Sequence, residues 1–206
     1  MRPNRSHLEK HWSLDPDVTF LNHGSFGATP NIVLKEQNRL RLHLESDPVR
    51  FFEREAFENM NFASRKLSKF LNADPDGMTF CQNATSGVNT VLRSLVLNRG
   101  DEIIVPNHSY QACWNAIDFV ASRWGANVVV VDLPFRCDSE EEIIEPLLAA
   151  ISPKTVLAMI DTVTSPTGLR MPFEKLVEEF QSRGVDVLLD AAHGPRSEKH
   201  TSELQS

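Results

Sequence analysis

From Met78 to Asp190 short β-rich runs alternate with helical ones, and this alternation constrains the chain more than any other feature. Apolar, β-branched runs predict strands near Met78–Cys81, Glu102–Pro106, Asn127–Asp132, Thr155–Asp161 and Val185–Asp190. The gaps predict helices near Ser86–Leu97, Tyr110–Trp124, Glu140–Ile151 and Phe173–Ser182, the third with Ser139 and Glu142 at capping-box spacing. Each parallel strand pair needs a crossover, so strict alternation implies an α/β fold: a mostly parallel sheet with helices on both faces. In such sheets ligands bind beyond the carboxyl ends of the strands, and chemistry is to be sought there.

The residues before this region read differently. A Leu14-Asp15-Pro16-Asp17 turn precedes a short predicted strand, Val18-Thr19-Phe20-Leu21, which enters the loop Asn22-His23-Gly24-Ser25-Phe26-Gly27. Pro30 opens a helical stretch that Asp47-Pro48 ends, and a second helix is expected from Phe51 to Leu71. The turn signal Asp74-Pro75-Asp76-Gly77 separates an N-terminal segment, 1–76, from a main domain that starts at 77. At roughly 150 residues per domain, 206 residues suit one large domain or one and a fraction.

Charge and composition exclude several classes. Lys and Arg number 21 against 28 Asp and Glu, a formal charge of −7, and no basic cluster offers a nucleic acid a footing. The longest apolar stretches fall far short of the roughly 20 residues that span a bilayer. The opening residues, Met1 to His7, lack the apolar core of a secretory signal, so the expected location is cytoplasmic. Cys81, Cys113 and Cys137 are odd in number and widely spaced in apolar segments, the pattern of buried reduced thiols rather than of a disulfide framework or a metal site.

The strand ends carry Asn83-Ala84-Thr85-Ser86-Gly87, Asn107-His108-Ser109-Tyr110, Thr164-Ser165-Pro166-Thr167-Gly168 and Asp190-Ala191-Ala192-His193-Gly194-Pro195. The first places small and hydroxyl residues at a helix start, which suits a phosphate or simply a helix N-cap at Thr85 or Ser86. Asp190 closes an apolar run, so its carboxylate is expected at the edge of a buried strand and wants a cationic partner. A protonated pyridine nitrogen, an Arg, a metal ion or a helix N-terminus would each serve. His193 can share that ligand or be solvated, and Tyr110, the single tyrosine, can cover a planar ligand or pack.

Taken together these loops resemble the fold-type I pyridoxal-phosphate enzymes of aminotransferase class V, from about Phe20 to Pro195. The isopenicillin N epimerase-like members are the most similar, through Phe20 to Gly27, Asn83-Ala84-Thr85, Gly100-Asp101-Glu102-Ile103, Ser165-Pro166-Thr167-Gly168 and Asp190 to Pro195. The resemblance implies pyridoxal 5′-phosphate as cofactor. Asp190 pairs with the pyridinium nitrogen, Tyr110 stacks on the ring, His193 meets the 3′ oxygen, Ala84-Thr85-Ser86 cradle the phosphate, and Ser165 makes another ring contact. Asn22, His23 and Gly24 approach the substrate side. The implied reaction acts at Cα of an amino acid, by epimerisation, transamination or C–S lysis through aldimine and quinonoid intermediates, in a homodimer. A cysteine desulfurase-like enzyme is the neighbouring alternative, a non-catalytic partial domain the other. On this reading 1–76 is the start of the small domain with linker helices, and 77–195 is part of the cofactor-binding large domain.

Such chemistry needs a lysine to bind the cofactor covalently and move protons at Cα. In the family it follows the Asp strand by at least one further strand. Only sixteen residues follow Asp190 here, and their single lysine, Lys199, is nine positions on, with no room for a strand of ~5–6 residues and its turns. The chain as given is therefore expected to be truncated and inactive. Arg196 to Ser206 resembles one reading frame of a short-read sequencing adapter, differing only at Lys199, and is read as an artefactual tail.

Other motifs fail on spacing. No G-x-G-x-x-G follows the first strand, which argues against a nicotinamide-binding domain. Gly24-Ser25-Phe26-Gly27 has His23 where the nucleophile elbow needs glycine. His7 and His11 lack the glutamate that a zinc-protease helix places directly after its first histidine, and Glu140-Glu141-Glu142 reads as a solvated helix start.

Overall fold

A computed structural model describes residues 6–194. The chain divides between Met78 and Thr79 into two compact units, each described by itself.

The first unit is helical. A single 3-10 turn, Glu9–His11, precedes the loop that leads to α1 (Asn31–Ser46), which starts after Pro30 as the sequence predicts. Asp47 stops α1 and caps the next turn: its side chain accepts from the Arg50 N–H at 3.0 Å, and Pro48 sits where its missing N–H costs nothing. The helix expected over 51–71 forms as α2 (Pro48–Arg50), a π-helical turn over Phe51–Glu55, and α3 (Ala56–Leu71). Glu55 in that turn takes His43 and Arg50 as partners at 2.5 and 2.6 Å, and these hydrogen bonds hold its carboxyl below the usual range. Asn72, in the left-handed region at φ 52°, ends α3.

Two expected strands do not form. Val18–Leu21 is irregular: Phe20 packs edge-on against His23 at 4.7 Å, and Asn22 turns the chain by accepting from Ser25 and Phe26. Met78–Cys81 is likewise unpaired. β-propensity reflects the fit to a neighbouring strand, and among the described residues neither run has one.

The second unit is built as α4 (Ala84–Ser94), β1 (Glu102–Pro106), α5 (Gln111–Trp124), β2 (Asn127–Val131), α6 (Glu141–Ala149), β3 (Thr155–Asp161), α7 (Phe173–Ser182) and β4 (Asp186–Asp190). The four strands form a parallel sheet in the order β2-β1-β3-β4. The capping box expected at Ser139 is absent: α6 starts one residue later, and no side chain caps it.

Strand residues alternate between two cores because successive side chains point to opposite faces. Ile103, Val105, Leu157 and Met159 pack with Val88 and Leu92 of α4 and Ile117 and Val120 of α5. Ile104, Ala158 and Ile160 pack on the other face with Ile143 and Leu147 of α6 and Leu176 and Phe180 of α7. Helices therefore cover both faces. Strand order reverses between β1 and β3, since β1 connects outward to β2 and the chain then returns past β1 to build β3 and β4. Such a reversal opens a crevice at the carboxyl ends of the two strands that flank it.

Candidate functional site

Two carboxylates stand on the lip of this crevice. Asp161 closes β3 and Asp190 closes β4, and the two are register partners. By the alternation of Leu157, Met159 and Leu188, both face the α4/α5 side of the sheet. Their exposures are 3% and 6%. The Ser109 hydroxyl, from the loop after β1, donates to Asp161 Oδ2 at 2.9 Å. The Cys113 thiol, in the first turn of α5, donates to Asp190 Oδ2 at 3.4 Å, and the Ala192 N–H donates to Asp190 Oδ1 at 3.0 Å.

Among the described residues no Lys, Arg or His forms an ion pair with either acid. The electrostatics follow from that arrangement. Burial pushes the Asp161 carboxyl up to about 6, with the Ser109 hydrogen bond pulling it back and the charge of Asp190 raising it further. Burial, then the neighbouring Asp190, pushes the Cys113 thiol up to about 12.

The start of α4 supplies the opposite character. Its N-cap is Asn83, whose side chain accepts from the Ser86 N–H at 2.8 Å, so neither Thr85 nor Ser86 is the cap. The Thr85 and Ser86 hydroxyls make no hydrogen bond among the described residues, and the first N–H groups of α4 point out of the helix. Val88 and Leu92 place this helix in the same core cluster that Leu188 of β4 packs against.

The remaining loops frame the lip. Tyr110 is the residue before α5; its carbonyl accepts from Cys113 and Trp114, while its ring is half-exposed at 43%. Ser165 is exposed in the turn after β3, where Thr164 and Thr167 share a hydrogen bond and Thr167 meets the buried His108 at 3.4 Å. His193 is half-buried in the loop that follows Asp190. That loop lies tightly on β3: the Thr162 N–H donates to the Asp190 carbonyl, and a Cβ on Gly194 would stand 2.9 Å from Thr162 Oγ1.

Asp190, Tyr110 and the Ala84-Thr85-Ser86 turn thus all belong to the carboxyl-end side of one sheet and its α4/α5 layer. Asn22, His23 and Gly24 lie in the first unit, where His23 packs between Phe20 and Trp12. Lys199, Pro195 and the adapter-like tail lie outside the described residues. The thiols differ from expectation: Cys113 is buried, but Cys137 is half-buried and Cys81 is exposed, because the unpaired segment holding Cys81 has no sheet to enter. No group of three His, Cys, Asp or Glu among the described residues could hold a metal ion.

Sequence reasoning missed Asp161, Ser109 and Cys113. Asp161 ends its apolar strand just as Asp190 does, and that parallel was the available signal.

A buried acid with no cation paired to it among the described residues, a helix start with open N–H groups and a half-exposed tyrosine share one layer of the sheet, an arrangement that would suit a planar ligand with a positive ring atom and an anionic group. The donor set fits pyridoxal phosphate. The chain belongs to the aminotransferase class-V family, whose model matches residues 28–202, and pyridoxal phosphate is the cofactor of that family. It is 34% identical over 185 residues to isopenicillin N epimerase of Streptomyces clavuligerus, covering 88% of this chain and 46% of that protein. It is 29% identical over 195 residues to a probable chloroplastic L-cysteine desulfhydrase of Arabidopsis thaliana, covering 87% and 41%. Among solved structures, a cystine C–S lyase in complex with cysteine persulfide superposes with a TM-score of 0.79 at 21% identity, covering 87% of this chain and 48% of that one. A cysteine desulfurase from Thermococcus onnurineus gives 0.77 at 17% identity, covering 93% and 48%. Both share the fold. The chain spans about half the length of the curated relatives it matches.

Proposed function

We propose that the crevice between β1 and β3 holds pyridoxal 5′-phosphate and that the complete protein acts at Cα of an amino acid, as an epimerase, aminotransferase or C–S lyase. The observation that carries this reading is Asp190: a carboxylate at 6% exposure, held by a weak thiol donor and one backbone N–H, with no cationic side chain among the described residues paired to it. An uncompensated buried charge is expensive, and a protonated ring nitrogen removes the expense.

When bound, the cofactor supplies an electron-withdrawing ring that accepts charge from a substrate carbon. The protein's part is electrostatic and positional. Asp190 holds the proton on the ring nitrogen. The N–H groups of Ala84 and Thr85 and the hydroxyls of Thr85 and Ser86 would hold the phosphate, aided by the dipole of α4, while the Ser86 N–H is taken by Asn83. Tyr110 would cover the ring and keep water from it, His193 would hydrogen-bond its 3′ oxygen, and Ser165 would make a further ring contact. Asn22, His23 and Gly24 serve the substrate side. The lysine that would move the proton at Cα belongs to sequence beyond Pro195 in the complete gene product, since Lys199 is read as part of the artefactual tail.

The reading extends to the protein's setting. Two isopenicillin N epimerases, L-cysteine desulfhydrases and a hercynylcysteine sulfoxide lyase are among the relatives, which supports an amino-acid substrate. No helix among the described residues is long and apolar enough to cross a membrane. We read the complete protein as a cytoplasmic homodimer without nucleic-acid or membrane partners; the formal charge of −7 disfavours a nucleic acid.

The test is made on the complete gene product. Asp190→Ala is expected to lower turnover by about 10²–10³-fold, the scale for removing one preorganised electrostatic group, and to weaken retention of the cofactor's visible absorbance on dialysis. Full turnover and undiminished absorbance in that variant would overturn the reading.

A further inference from the structure

The lip carries one acid more than a single ring nitrogen needs. Asp161 is as buried as Asp190, is its register partner on the adjacent strand, and faces the same side of the sheet. We propose that Asp161 acts on the cofactor through Asp190, as a second carboxylate that strengthens the hold of the lip on a positively charged ring nitrogen. This rests on the assignment of Asp190 to that nitrogen and adds to it a residue that the motifs leave out.

The geometry is specific to that role. Ser109 donates to Asp161 Oδ2 from the residue just before Tyr110, so the hydroxyl that favours the ionised form of Asp161 sits on the loop that frames the ring. No cation among the described residues neutralises Asp161, so its charge, when present, adds to that of Asp190 in a low-dielectric site. The groups that act on it are few: Asp190 from β4, the Cys113 thiol from α5, which its high pKa keeps neutral, and the Ser109 hydroxyl from the loop after β1. The nearby loops also carry the buried His108, whose Nδ1 meets Thr167, and the half-buried His193. Because burial pushes Asp161 up to about 6, its charge is absent in acid and present at neutral pH. The sign follows: the second carboxylate helps above that pH and does nothing below it. Only the Asp161 O–H bond breaks, its proton leaving to solvent and the electron pair staying on the carboxylate.

The probe is pyridoxal phosphate itself, its dissociation constant from the complete gene product measured by equilibrium dialysis between roughly pH 5 and 8. Asp161→Asn keeps the shape and an oxygen to accept from Ser109 while removing the charge. It is expected to bind like wild type at the acid end and about tenfold more weakly at the alkaline end, the scale of one nearby unit charge. The cofactor phosphate also ionises in this range, but it is common to both proteins and cancels in their ratio. Ser109→Ala removes the donor that favours ionisation, so its loss of affinity relative to wild type is expected to lessen only at higher pH than the wild-type step. A constant ratio of Asp161→Asn to wild type across the range, as a merely structural role would give, overturns the proposal. So does an unmoved midpoint in Ser109→Ala. If Asp190→Ala binds the cofactor as wild type does, the assignment of Asp190 itself fails; if Asp190→Ala weakens binding while the Asp161→Asn ratio stays flat, only the role of Asp161 fails.

Discussion

Cys113 and Cys81 show how far one residue type can diverge with its surroundings. Cys113 is buried and donates to a carboxylate, and with its thiol pushed up to about 12 it holds almost no thiolate at neutral pH; Cys81 lies exposed, its thiol donating to the Asn83 carbonyl at 3.2 Å. The thiolate is the reactive species. A thiol reagent is therefore expected to modify Cys81 in the folded chain while Cys113 reacts at least about 10³-fold more slowly, until denaturant exposes it. Equal rates for the two in native protein would contradict the burial of Cys113 against Asp190. At this scale the sequence was legible where a residue closes an apolar strand, as Asp190 does. It was opaque where the partner is distant: the Ser109–Asp161 and Cys113–Asp190 hydrogen bonds join residues 52 and 77 positions apart, and no local pattern encodes them.

At the scale of elements, periodicity found β1 and β3 to the residue and the helices to within a few positions, because each buries a face whose spacing is written in its apolar residues. It overreached at Val18–Leu21 and Met78–Cys81, where the composition is β-like but no strand lies alongside. Nor could it locate the cap of α4, since Asn83, Thr85 and Ser86 are all competent caps and only the helix start decides among them. The loop after β4 was read for His193, yet its tightest requirement lies at Gly194, packed on Thr162. Gly194→Ala would drive a methyl group to 2.9 Å from Thr162 Oγ1, a side chain buried at the end of β3. The substitution is expected to cost about 1–3 kcal/mol in denaturant unfolding, as overpacking does, and to weaken cofactor binding by displacing the Ala192 N–H from the Asp190 carboxylate. Wild-type stability together with wild-type affinity would show that this contact does not set the loop.

For the molecule as a whole, alternation of strands and helices sufficed for a parallel α/β sheet covered on both faces, and the sheet order then locates the crevice that no motif names. Strand order itself was not legible, because it depends on which crossover passes over which strand rather than on any one segment. What the assembled sheet achieves is to bring two acids to one buried lip, beside a helix start that suits an anion. The central claim is that this lip keeps a ring nitrogen protonated. The most direct measurement is the ¹⁵N chemical shift of ring-labelled pyridoxal phosphate bound to the complete gene product. The shift of a protonated pyridine nitrogen is expected in the wild type, moving toward that of the neutral ring in Asp190→Asn. A neutral nitrogen in the wild type, or a protonated one that ignores the loss of Asp190, would contradict it.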